Sequence, residues 1–170
     1  MTTTLNQIRS HRPCQDGWAK LLKHLNKTGG DDQPLSLSTV LTSNGLDDAI
    51  WCLRTEATPN RIQQFALAVA RRTQHLHPKA KATLDVVDRY LSGQATKAEL
   101  DVAGCAAGYT AHAASAYAAG DAARAARAAR AGDAAYDAAG DTAHAAAYAA
   151  GAAGDAEREA QSQIFKEIFA

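Results

Sequence analysis

Three cysteines, six histidines and a pair of neighbouring aspartates carry most of the chemistry this chain has to offer. Zinc needs thiol or imidazole ligands at close spacing. Cys14, Cys52 and Cys105 are far apart and form no C-x-x-C pair, so no metal and no cofactor is expected. His75-x-His77 offers two imidazoles, but next to Pro78 at a helix end they read as surface groups favoured by the helix dipole. Cys52 as a nucleophile would need His24 or His112 as its base. All three thiols lie in apolar stretches, where a buried, inert thiol is the default. No catalytic residue is assigned, and the chain is expected not to be an enzyme.

Binding chemistry is better represented. Asp47 and Asp48 with Arg54 form either a polar binding site or the charged first and last turns of one helix. Arg124, Arg127 and Arg130 recur every third residue and share a helical sector of about 120°. They are a patch for an anion or a partner, or else a solvated face. Tyr117, Tyr136 and Tyr148, with Tyr109, His112 and His144, are the large groups of an otherwise small-residue tract. Tyrosine is a frequent interface anchor; the same rings also suit gaps between thin helices.

That tract dictates much of the architecture. Half of residues 101–160 are alanine, and none is Leu, Ile, Phe, Trp or Met. Alanine is the best helix former, so the tract is read as helices packed through methyl groups. Four Gly-Asp pairs, at 120–121, 132–133, 140–141 and 154–155, each read as a helix stop joined to a helix start. Asp133, Asp137 and Asp141 would stack like charges on one helix, which also favours breaks. Thr110-Ala111-His112-Ala113-Ala114 recurs as Thr142-Ala143-His144-Ala145-Ala146, a weak internal repeat. Regularly spaced threonines on one face are missing, which excludes the helical antifreeze pattern.

Ahead of the tract the chain reads as short amphipathic helices. Thr4 caps the first, and the second starts near Asp16 with Trp18, Leu21, Leu22 and Leu25 as its apolar stripe. Ser36 or Ser38 caps the next turn, and Ser43 or Asn44 caps a helix whose face is Leu46, Ala49, Ile50 and Leu53. Pro59 opens a helix with Ile62, Phe65, Ala66 and Val69 inward, and Pro78 ends it. Another runs from about Lys79 to Leu91 and stops at Gly93. Thr96-Lys97-Ala98-Glu99 is a capping box. Near the C-terminus Ile164, Phe165, Ile168 and Phe169 form a heavy apolar stripe. No strand pattern is seen. The expected fold class is all-α: a small helical domain at residues 1–95, then an alanine-rich array of short antiparallel helices at 96–170.

Composition narrows the partners. Basic and acidic residues balance at 18 each, with 13 against 9 in residues 1–100 and 5 against 9 in the remainder. This asymmetry is too weak for nucleic acid or a membrane surface. The N-terminus lacks the apolar core of a signal peptide, and the alanine tract is too polar to span a bilayer. A cytoplasmic protein is expected.

Four stretches together resemble a known family. They are Cys14-x-x-Gly17-Trp18 with Leu21-Leu22; Leu46-Asp47-Asp48-x-x-Trp51-Cys52-Leu53-Arg54; Arg89-Tyr90-x-x-Gly93-x-Ala95-Thr96-x-x-Glu99-Leu100; and the Ala/Gly/Asp/Arg-rich tail. The chain is similar to the immunity-protein family with the Imm-5-like domain, found in bacterial and phage-borne reading frames. The resemblance covers nearly the whole chain and is sharpest at residues 46–54. It departs where relatives' tails carry Trp and this one carries Tyr and His. It implies a small cytosolic protein that occludes a protein partner, a toxin or a defence effector, and it carries no catalytic residues. A phage-encoded inhibitor of host defence and an oligomerising helical scaffold are the alternatives.

Overall fold

The structure, a computed structural model, describes residues 1–55, 59–76, 78–110, 124–129, 135–149 and 154–169. It is all-α. The helices are α1 (Leu5–Ser10), α2 (Gln15–His24), α3 (Leu37–Asn44), α4 (Leu46–Cys52), α5 (Pro59–Thr73), α6 (Pro78–Leu91) and α7 (Lys97–Thr110). Then come α8 (124–129), α9 (Ala135–Ala149) and α10 (Gly154–Phe169). Two strands of two residues, β1 (Thr2–Thr3) and β2 (Leu35–Ser36), pair antiparallel. They are too short to leave a sequence pattern.

Helix α5 is the central element, because it is apolar on two sides. Ile62, Phe65, Ala66 and Val69 join a core with α1, α3, α4, α9 and α10. Leu67 and Ala70 join a second core with α6, α7 and α8. Both cores draw residues from either side of position 95. The chain's three phenylalanines all meet here: Phe65 lies 5.8 Å from Phe165 and 5.9 Å from Phe169, ring centre to ring centre. Such contacts add about 0.5–1.5 kcal/mol per pair beyond area burial, and they lock α10 onto α5. The N-terminal ammonium of Met1 donates to Phe169 O at 2.8 Å, a favourable charge at a helix C-terminus.

The alanine helices pack as thin rods. Ala139, Thr142, Ala143 and Ala146 of α9 are fully buried, one stripe at helical spacing, and α9 packs most extensively on α5. A methyl at Gly104 of α7 would lie 3.3 Å from Ala126 Cβ, so α7 and α8 are already in near-backbone contact.

Thr4 and Ser36 cap α1 and α3. Thr96 and Glu99 form the reciprocal capping box: Thr96 N–H donates to Glu99 Oε2 at 2.8 Å, and Glu99 N–H donates to Thr96 Oγ1 at 3.2 Å. Neither Ser43 nor Asn44 caps α4. Gly45 does, at φ 99°, without any side-chain bond; Asn44 is committed elsewhere. Pro78 opens α6 rather than only ending α5. Gly140-Asp141 does not break a helix. It lies inside α9, on the same helix as Asp137, and burial of Ala139, Thr142, Ala143 and Ala146 outweighs the glycine cost of about 1 kcal/mol. Gly154 does open α10. The pairs at 120–121 and 132–133 lie outside the described residues.

Candidate functional site: a tryptophan-walled pocket between α2 and α4

The site is built around one amide. Asn44, the last residue of α3, donates from Nδ2 to Gly17 O of α2 at 2.8 Å and to Asp48 Oδ2 of α4 at 2.7 Å. Ser43 Oγ lies 2.6 Å from Asn44 Oδ1 and donates to it, which fixes the orientation of the amide. Lys20 Nζ donates to the Asn44 carbonyl at 3.3 Å. Asn44 thereby ties three helices together through bonds that are all satisfied.

Local sequence explains why α2 and α4 come so close. Cys14 is the N-cap of α2, its Sγ accepting the Gly17 N–H at 3.3 Å. Gly17 leaves room for the Asp48 carboxylate. On α4, Asp48, Trp51 and Cys52 are spaced i, i+3, i+4 and share one face.

Between these groups lies an open cavity of about 90 Å3. Trp18 and Trp51 line it, with Ile8, Leu21 and Val40 behind them. Its polar lining is Cys14, Asn44, Asp48 and Cys52. Burial pushes the Cys52 thiol up to about 12, the Asp48 charge adds to this, and Arg54 opposes it. Cys52 is therefore a neutral thiol across the physiological range.

Trp51 also lines a second, shallower groove between α4 and α9, with Asp47, Ile50, Arg54, Asp141 and His144. The Arg54 guanidinium sits 4.1 Å from the Trp51 ring centre. Arg54 Nε donates to Trp51 O at 2.9 Å. Asp47 accepts from Arg158 Nη2, and His144 Nε2 stands 3.4 Å away. Arg158 donates to Gln161, Gln161 donates to Glu157, and Glu157 accepts from Arg72 Nε at 2.8 Å. This polar chain pins α10 to α4 and α5.

No family model, no curated protein and no solved structure matches this chain.

The residues singled out from sequence are thus distributed. Asp47, Arg54 and His144 meet at the groove, whereas Asp48 turns the other way into the cavity. Arg124 and Arg127 sit on α8, Arg127 exposed, and neither lines cavity or groove. Arg130, Tyr117 and His112 lie outside the described residues. Tyr109 is on α7, and Tyr136 and Tyr148 are on α9, with side chains outside the described set. The thiols were all expected to be buried; only Cys52 is, while Cys14 and Cys105 are exposed, and all three are free. Cys14 escapes burial because it serves as a helix cap. His24 and His75 are exposed, and His77 lies outside the described residues. Among the described residues no group of three or more His, Cys, Asp or Glu side chains is placed to hold a metal, and no helix is long and apolar enough to cross a membrane.

Sequence reasoning assigned Trp18 to the core and gave Trp51 no role. The signal that could have found them is the repetition of type: Cys14 four residues before Trp18, and Asp48, Trp51, Cys52 on one helical face.

Proposed function

We propose that this chain is a non-enzymatic, cytoplasmic protein of the immunity or inhibitor type, and that the α2–α4 pocket anchors its protein partner. One observation carries the reading: Trp18 of α2 and Trp51 of α4 wall one half-buried cavity, and Trp51 belongs to residues 46–54, where the resemblance is sharpest. Tryptophan is enriched among residues that dominate binding energy at interfaces. The cavity is smaller than the roughly 150 Å3 void that admits benzene and the roughly 300–1,000 Å3 of common small-molecule sites. It suits one protruding side chain of a partner. The Asn44 hydrogen bonds form it in advance, so little ordering cost falls on binding.

The partner class is a toxin or a defence effector. The test is to express the chain beside the toxic product of an adjoining reading frame and to measure host growth. Rescue that Trp18→Ala and Trp51→Ala each remove, at unchanged levels of folded protein, supports the reading. Growth arrest untouched by the chain, with no complex on size-exclusion chromatography, overturns it.

A further inference from the structure

The two neighbouring aspartates of α4 differ in one respect. Asp47 is neutralised by Arg158 and flanked by His144. Asp48 is half-buried, lines the cavity, and its partner is the uncharged Asn44 amide. Among the described residues no lysine or arginine pairs with it. A carboxylate has about four acceptor sites, and a charge removed from water is costly until it is paired. The Asp48 charge is felt at Cys52 on the same face of α4, where it adds to burial in holding the thiol neutral.

The walls favour the same sign of ligand. The face of an indole attracts cations, and Trp51 already carries one guanidinium at 4.1 Å on the groove side. Trp18 and Trp51 both line the cavity beside Asp48.

We propose that this pocket takes the ammonium end of a lysine side chain from the protein partner, with the charge at Asp48 and the aliphatic stem between the tryptophans. A lysine side chain, with a compact ammonium on a flexible stem, has fewer heavy atoms than an arginine side chain and so suits the smaller volume of about 90 Å3. The assignment to a protein lysine rests on the binding reading above; the preference of the pocket for a cation does not.

The test uses the full chain and its two tryptophan indole N–H resonances. n-Butylammonium chloride, propylguanidinium chloride and 1-butanol are titrated separately at constant ionic strength. Butylammonium should shift both indoles saturably and bind about tenfold or more tighter than the other two probes. Asp48→Asn should abolish that preference while leaving the weak butanol response intact. Trp18→Leu should weaken butylammonium more than butanol. Equal binding of butanol and butylammonium, tighter binding of propylguanidinium, or no saturable shift with any probe overturns the proposal. The wild-type comparison of probes stands even if a variant fails to fold. A failure here leaves the growth-rescue result untouched, so the two readings fall separately.

Discussion

The Asp48 carboxylate occupies the space that any side chain on Gly17 would need. A Cβ built on Gly17 would stand 2.7 Å from Asp48 Oδ2 and 3.0 Å from Cys14 Sγ. Two motif residues that are distant in sequence are therefore one steric unit. Gly17→Ala should force Asp48 off Asn44. The helix gains about 0.5–1 kcal/mol from the added methyl, and the lost hydrogen bond costs about 0.5–1.5 kcal/mol. Global stability should thus change little while the pocket is lost. Urea denaturation together with the butylammonium titration checks both halves: an unchanged titration would mean that Asp48 is not held where the structure has it.

Arg72→Ala should destabilise the fold more than any other surface arginine substitution. Glu157 is 8% exposed at its side chain and accepts both bonds from Arg72 Nε. Removing the cation leaves a buried carboxylate whose remaining partner among the described residues is Gln161. Breaking a fully buried pair costs about 3–5 kcal/mol, and the 40% exposure of Arg72 brings the expected loss to about 1–3 kcal/mol. Arg72→Lys should restore only part of it, because an ammonium cannot reproduce the guanidinium geometry. Thermal denaturation of the two variants is the measurement.

Thr96→Ala should cost about 1 kcal/mol at neutral pH, and this cost should shrink in acid. Hydrogen bonds from the Thr96 backbone and hydroxyl lower the Glu99 carboxyl below its usual value of 4.5. A carboxyl lowered on folding contributes stability above its unfolded value, and that contribution fades as the pH falls through the folded value. The stability gap between wild type and variant should therefore narrow below about pH 4.5. A gap constant from pH 7 to pH 3 would contradict the reciprocal cap.

Ala143→Leu should be costly and Ala156→Leu should not. Ala143 is fully buried against α5, and Ala156 is exposed on α10. Overpacking costs about 1–3 kcal/mol, whereas a surface change stays within about 0.5 kcal/mol. Equal tolerance at both positions would mean that α9 does not pack through its methyl groups.

Much of the fold was legible in the sequence, because periodicity and caps are local signals. The stripe of α2, the face of α5, the Thr96 box and the Ile164–Phe169 stripe each follow from residues within a few turns. What was not legible depended on tertiary contact. Gly140-Asp141 has the composition of a helix break, but α5 buries the residues on both sides of it. Asn44 has the character of a helix cap, but its amide bridges α2 and α4 instead. The site was half legible: Asp47 and Asp48 were marked, but their opposite destinations are decided by which helix packs on each side of α4. Trp18 packs against the core as its apolar stripe implies, but that it also walls a pocket with Trp51 depends on the gap between α2 and α4.

The central claim is that the partner is held at the α2–α4 pocket and not at the arginines of α8. The dissociation constant of the complex with the proposed protein partner, measured by calorimetry for wild type, Asp48→Asn and Arg127→Ala, separates the two. Asp48 lines the pocket, and Arg127 is exposed on α8. The pocket account predicts that Asp48→Asn weakens binding by about tenfold or more, a loss of about 1.4 kcal/mol, with Arg127→Ala unchanged. Wild-type affinity in Asp48→Asn, with binding lost in Arg127→Ala, would contradict it.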